Sequence, residues 1–140
     1  MAVLVACDDS DPGRRAAEYA FHGHADEPIT LLHVVNPERY TGAFETGPLV
    51  DWDEVIARGE RRAEELFEEL LEHPDAEGID VTTDTIVGHP ARGIVDYAEE
   101  HGFDHVVLGS HGRTGVSRVL LGSVAEQVVR RAPGTVTVVR

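Results

Sequence analysis

The 140-residue chain contains no lysine; its 12 basic residues are all arginine, set against 26 aspartates and glutamates, for a formal net charge of −14. Without lysine no G-x4-G-K-[ST] phosphate loop can form. The negative excess repels other polyanions, which argues against binding nucleic acid or an anionic membrane surface. Cysteine is nearly absent too. Cys7 stands alone, so no intrachain disulfide forms and a reducing cytoplasm is expected. It lies inside an apolar run, where a small buried side chain is the expected role and a nucleophile is not. Long hydrophobic runs are missing, so no segment is predicted to cross a bilayer. The opening "MAVLVACDDS" has no basic region and no long apolar stretch. It reads as a first strand, not a signal peptide.

What is present is ordinary for one globular domain spanning 1–140: 41% hydrophobic residues and enough length to bury a core. Acidic residues cluster on predicted helix faces, as in "RGERRAEELFEELLEHPDAEG". Acid excess without lysine resembles the composition of proteins from salt-loving organisms, where high ionic strength screens self-repulsion; an acidic mesophilic protein is the plainer alternative, which the missing lysine disfavours.

Short apolar runs alternate with amphipathic ones. Ala2 to Cys7 is a predicted strand, followed by "DDSDPG", where Asp11 is the expected cap and Pro12 the first helical residue. Ala16, Ala17, Ala20 and Phe21 then share a helical face. Ile29 to Val35 is a second strand, and the aperiodic stretch from Pro37 to Leu49 reads as a loop. Asp51 to His73 is the longest predicted helix, with Trp52, Val55, Ile56, Ala63, Leu66, Phe67, Leu70 and Leu71 as its apolar stripe. Gly59 inside that helix costs about 1 kcal/mol relative to alanine. Asp80 to Val87, Asp104 to Leu108 and Thr135 to Val139 are further strands, separated by helices over Pro90 to His101 and Gly122 to Arg131.

Strand and helix alternating to the end predict a doubly wound α/β domain with a five-stranded parallel sheet and helices on both faces. The strand orders open to it are 3-2-1-4-5, which we adopt, and 2-1-3-4-5. In order 3-2-1-4-5 the ligand crevice lies between the carboxyl ends of strands one and four. It therefore joins "CDDS" to "GSHGRTGVSRVLLGS". Gly109, Gly112 and Gly115 allow positive φ and a nest of peptide N–H groups for an anion. Gly122 and Ser123 open a helix whose N-terminus favours phosphate, and Arg113 adds a charge. The inferred chemistry is binding of a phosphate-bearing ligand; the plainer alternative makes the glycines turns and Ser123 a helix cap.

The spacing Gly109-x2-Gly112-x9-Gly122-Ser123 matches the G-x2-G-x9-G-[ST] signature of the nucleotide-binding branch of the universal stress proteins. "CDDS" stands where that family has V-D-x-S, "LLHVV" resembles its second strand, and Gly88 to Arg140 is similar to its C-terminal half. The resemblance implies the adenine nucleotide alpha hydrolase-like fold and an ATP site. In that site Asp8 would face ribose and adenine, and Val34 would contact adenine, partly through backbone. Gly109, Gly112 and N–H groups through Gly115 would wrap ribose and phosphates. Gly122, Ser123 and Val124 would hold phosphates. The resemblance also implies a homodimer paired through residues 135–139. Two positions depart from the pattern: Asp9 where glycine is common, and Ala6 where proline is. Asp9 pointing inward would repel triphosphate or help hold Mg2+; we expect it at the surface.

Competing readings fail on specific residues. A response-regulator receiver shares the fold type, and Asp8-Asp9 resembles its acidic pair. It needs an aspartate where this chain has Val87-Gly88, and a lysine that does not exist. A flavodoxin-like phosphate loop would be acidic here, as "DDSDPG". Ser110-His111 do not form a G-x-S-x-G elbow. His22 and His24 lack a third metal ligand nearby, and His33 is expected to be a hydrogen-bonded core residue. The reading is an ATP-binding switch or sensor with an unknown protein partner. A nucleotide-free dimeric interaction protein and a slow ATPase are its alternatives.

Overall fold

The computed structural model describes residues 2–39, 51–111 and 121–140. Five strands, β1 (Val3–Ala6), β2 (Ile29–Val35), β3 (Val81–Val87), β4 (His105–Gly109) and β5 (Thr135–Val139), form one sheet in the order β3-β2-β1-β4-β5. Every neighbouring pair is parallel, with Ala6 opposite both Leu32 and Leu108. The predicted fold class and the adopted strand order are those observed. Among the described residues four α-helices cover the sheet: α1 (Asp11–Gly23), α2 (Trp52–Leu71), α3 (Pro90–Glu100) and α4 (Ser123–Arg131).

The period-2 alternation of each strand divides the core in two. Val3, Val5, Ile29, Leu31 and Val107 pack against α1 and α2. Leu4, Leu32, Val106 and Leu108 point the other way, against α3 and α4. Both faces are apolar because helices cover both, so the central strands read as continuous hydrophobic runs.

Helix boundaries depart from the sequence reading for local reasons. Ser10, not Asp11, caps α1: its side chain accepts the Gly13 N–H at 3.0 Å, leaving Pro12 buried within the first turn. Asp51 caps α2 through the Glu54 N–H at 3.3 Å. That helix stops at Leu71, short of His73. Its stripe is also narrower than predicted, since Trp52 is 48% exposed and Leu71 43%. Gly59 has a packing reason, because a Cβ there would lie 2.5 Å from Val35 Cγ1. The α2 backbone thus sits against β2 where no side chain fits. Helix α3 ends with Gly102 at φ +71°, and the Phe103 N–H turns back to the Ala98 carbonyl at 2.9 Å. That closure needs a left-handed residue, which glycine supplies without steric cost.

Candidate functional site

The sheet order makes β1 and β4 neighbours whose following helices lie on opposite faces, so a crevice opens at their carboxyl ends. Two residues beyond the paired row Leu32–Ala6–Leu108 stand Val34, Asp8 and Ser110. The structure therefore brings Asp8, Val34, Gly109 and the start of α4 to one end of the sheet. Gly112, Arg113 and Gly115 lie outside the described residues, so their expected roles rest on sequence.

Asp8 is half-buried and tied into the α1 cap. Its Oδ1 accepts the Ser10 N–H at 2.9 Å and also the Ser10 hydroxyl. The same hydroxyl oxygen accepts from Gly13, so one serine holds both the helix start and the carboxylate. Gly13 is needed there: a Cβ would fall 2.1 Å from Asp8 Oδ1. Sequence reading missed Ser10 and Gly13, although "SDPG" carries the signal of a capping serine with proline just inside the helix.

Gly109 does not adopt the positive φ that its glycine would allow. A Cβ there would lie 2.7 Å from the Pro12 carbonyl carbon and 2.8 Å from the Gly13 nitrogen. Gly109 is what lets the first turn of α1 cross the end of β4. The next residue, Ser110, is buried, and its N–H donates to the Val139 carbonyl at 2.7 Å.

The Ser110 carbonyl accepts the Gly122 N–H at 2.6 Å, pinning the chain's return to the point where it left the sheet. Gly122, predicted as the first residue of the last helix, is instead its N-cap, at φ −72° and ψ 165°. A Cβ on it would approach His111 Cα to 3.0 Å and the Ser110 carbonyl oxygen to 3.2 Å. As a glycine it supplies no side-chain cap. Among the described residues the N–H groups of the first turn of α4, beginning at exposed Ser123 and half-buried Val124, are left without one. Such an end carries a partial positive charge and presents donors to an anion.

Val34 is half-buried in β2, opposite Ile86, with its methyl groups 3.5 Å from where a Cβ on Gly93 would stand. Asp9 is half-buried, and its carbonyl accepts from the Arg14 guanidinium. With Arg14, Arg62, Glu65, Leu66 and Glu69 it lines a groove of about 260 Å³ between α1 and α2, on the sheet face opposite α4.

The remaining candidates have structural partners. His33 is buried and its Nδ1 donates to the Cys7 carbonyl at 2.8 Å, the core role expected of it. Burial, reinforced by the nearby Asp8 charge, pushes the Cys7 thiol far up, which disfavours the thiolate that a nucleophile needs. Ser110 Oγ lies 3.1 Å from His111 Nδ1. Among the described residues no group of three His, Cys, Asp or Glu side chains could hold a metal.

A sequence model of the universal stress protein family matches residues 1–140. The chain is 36% identical, over 151 aligned positions, to universal stress protein MJ0577 of Methanocaldococcus jannaschii, covering 99% of this chain and 93% of that one. The solved structure of MJ0577 superposes with a TM-score of 0.80 at 30% identity, covering 99% and 94%. UspA from Lactobacillus plantarum superposes with a TM-score of 0.82 at 27% identity, covering 100% and 97%. Two further solved structures share the fold at 24% and 23% identity, with TM-scores of 0.63 and 0.66. One is a universal stress protein in complex with cAMP, the other that of Archaeoglobus fulgidus in complex with dAMP; they cover 100% of this chain and 96% and 98% of their own.

Proposed function

Since the chain belongs to the universal stress protein family, we propose that its crevice between β1 and β4 binds an adenine nucleotide, ATP in the first place, and that the protein acts as a nucleotide-dependent switch. The observation that carries this reading is the convergence of the Asp8 carboxylate and the side-chain-free start of α4 on one end of the sheet. A carboxylate suits the hydroxyls of a ribose, and bare helix N–H groups suit phosphate oxygens. The cAMP and dAMP complexes indicate what the fold can hold, at identities too low to speak for this chain.

In this reading Asp8 takes the ribose side and Val34 the adenine, while Gly122, Ser123 and Val124 take the phosphates. Gly109, Gly112, Arg113 and Gly115 line the path between them. Mg2+ accompanies the triphosphate, with oxygen ligands from the phosphates. Occupancy sets the surface that residues 109–123 present to a partner protein. A second copy pairs along β5, an edge strand with half-buried Val136, Val138 and Val139 and no charged side chain. The working compartment is the cytoplasm, in an organism of high internal salt.

Calorimetric titration of Mg-ATP into the wild type, Asp8→Ala and Gly122→Val tests the site, with circular dichroism to check that each variant is folded. Wild-type binding that both variants weaken is the expected result. No binding to folded wild type overturns the nucleotide reading and leaves the dimer surface as the working part. Equal amide exchange across 109–123 with and without ATP would remove the switch while sparing the site.

A further inference from the structure

At the opposite end of the sheet from the crevice, α1 is joined to the edge strand by two histidines. His24 follows the last turn of α1, held by its N–H to the Ala20 carbonyl at 2.8 Å. Its Nδ1 meets Glu27 Oε2 at 2.5 Å. The edge of one imidazole then faces the other: the His24 and His105 rings have centroids 4.8 Å apart at 83°. His105, the first residue of β4, reaches across to β5 through Nε2, 2.8 Å from Thr137 Oγ1. The result is a continuous series, Glu27, His24, His105, Thr137, running from the end of α1 over β4 to the edge. Near the other end of α1, the Arg15 guanidinium bonds to the Arg140 carbonyl, just past β5.

We propose that His24 and His105 form a proton-operated clasp between α1 and the edge strand β5, closed while His105 is neutral and loosened when acid forces a second positive charge onto the pair. Edge-to-face packing of two rings is favourable when at most one is charged. The Glu27 carboxylate accepts from the His24 ring at one end of this series. Correspondingly, the Glu27 carboxyl is held below its ordinary range, chiefly by the hydrogen bond from His24. A proton added to His105 would enter a partly buried site packed edge-to-face against the His24 ring, which opposes the charge. Burial first, and His24 second, hold the His105 imidazole below the ordinary histidine value; Glu27 and Asp104 oppose this by smaller amounts. The Tyr19 ring stands beside the pair, its centroid 6.0 Å from that of His24.

The direction of the pH effect follows from linkage. A histidine whose folded-state pKa is depressed binds fewer protons folded than unfolded. Its contribution is intact above the unfolded value of about 6.5 and is lost as pH falls through the folded value. Loosening would start between the two rings, where the charges repel, and free His105 together with its Thr137 contact on the strand whose outer edge is open in one copy of the chain. The clasp therefore gives the edge a response to acid that is separate from the crevice at the other end of the sheet.

Histidine proton NMR of the full chain between pH 8 and 5, with amide exchange over residues 135–139 corrected for intrinsic rates, tests the clasp. The expected results are a His105 midpoint below about 6.5, its upward shift in His24→Gln, and loss of β5 protection on acidification in the wild type alone. His24→Gln leaves the Thr137 contact intact, so it carries the test even if His105→Gln fails to fold. A His105 midpoint indifferent to His24→Gln, or β5 amides indifferent to pH in the wild type, overturns the proposal.

Discussion

Replacing Ser10 with alanine removes one hydroxyl and two interactions. The oxygen accepts from the Gly13 N–H at 3.0 Å, and the hydroxyl proton goes to the Asp8 carboxylate. A lost N-cap costs about 1 kcal/mol. A hydrogen bond to a charged acceptor is worth about 1.5 kcal/mol, but Asp8 is only half-buried and water replaces part of it. The sum is about 2 kcal/mol. At about 3 °C per kcal/mol for a domain of this size, the melting temperature should fall by about 6 °C. Scanning calorimetry of wild type, S10A, D8N and the double variant reads both the loss and its coupling. The double variant should lose less than the two single changes added, because they remove one shared bond. A fall of less than about 2 °C in S10A, or strict additivity, refutes the claim that this serine joins helix start and carboxylate. In the nucleotide reading S10A also weakens ATP binding, since Asp8 loses the donor that positions it.

Gly109→Ala places a methyl group 2.7 Å from the backbone of Pro12 and should destabilise by about 2 kcal/mol in denaturant titrations. Gly23→Ala, at a helical position with nothing within 4 Å of the new Cβ, should instead be neutral or stabilising by up to about 1 kcal/mol. The Tyr97 hydroxyl donates to Asp84 Oδ2 at 2.8 Å, and burial followed by that bond pushes its pKa up to about 12. A raised folded-state value means stability present below the ordinary tyrosine pKa of about 10 and lost as pH rises toward about 12. Ultraviolet titration should show a late phenol, and Tyr97→Phe should abolish it and flatten the alkaline loss of stability.

The distribution of apolar residues made the fold legible before any coordinates. Runs such as "ITLLHVV" and "HVVLG" are too short for helices and apolar on both faces, which only a covered parallel strand explains. Alternation with amphipathic stretches forced crossover helices, and the crevice then followed from topology. Residues whose roles depend on pairwise distance stayed hidden. Trp52 continued the α2 stripe in sequence yet stands in solvent, because periodicity sets a face but not where the covering sheet stops. Gly59 read as a propensity cost until Val35 appeared against it.

Glycine carries the sharpest contrast between the two levels. Sequence spacing brought Gly109 and Gly122 to one crevice, since that depends only on order along the chain and the handedness of crossovers. Their backbone conformation was not encoded in that spacing. Gly109 is glycine because Pro12 and Gly13 pass above it, and Gly122 because Ser110 and His111 lie beside it. The His24–His105 pair, 81 positions apart and 4.8 Å between ring centres, left no local trace either. Local pattern determines which elements form and which face each one buries, because those depend on near neighbours. Contacts between distant residues are decided only when the packed sheet and helices fix where every side chain stands.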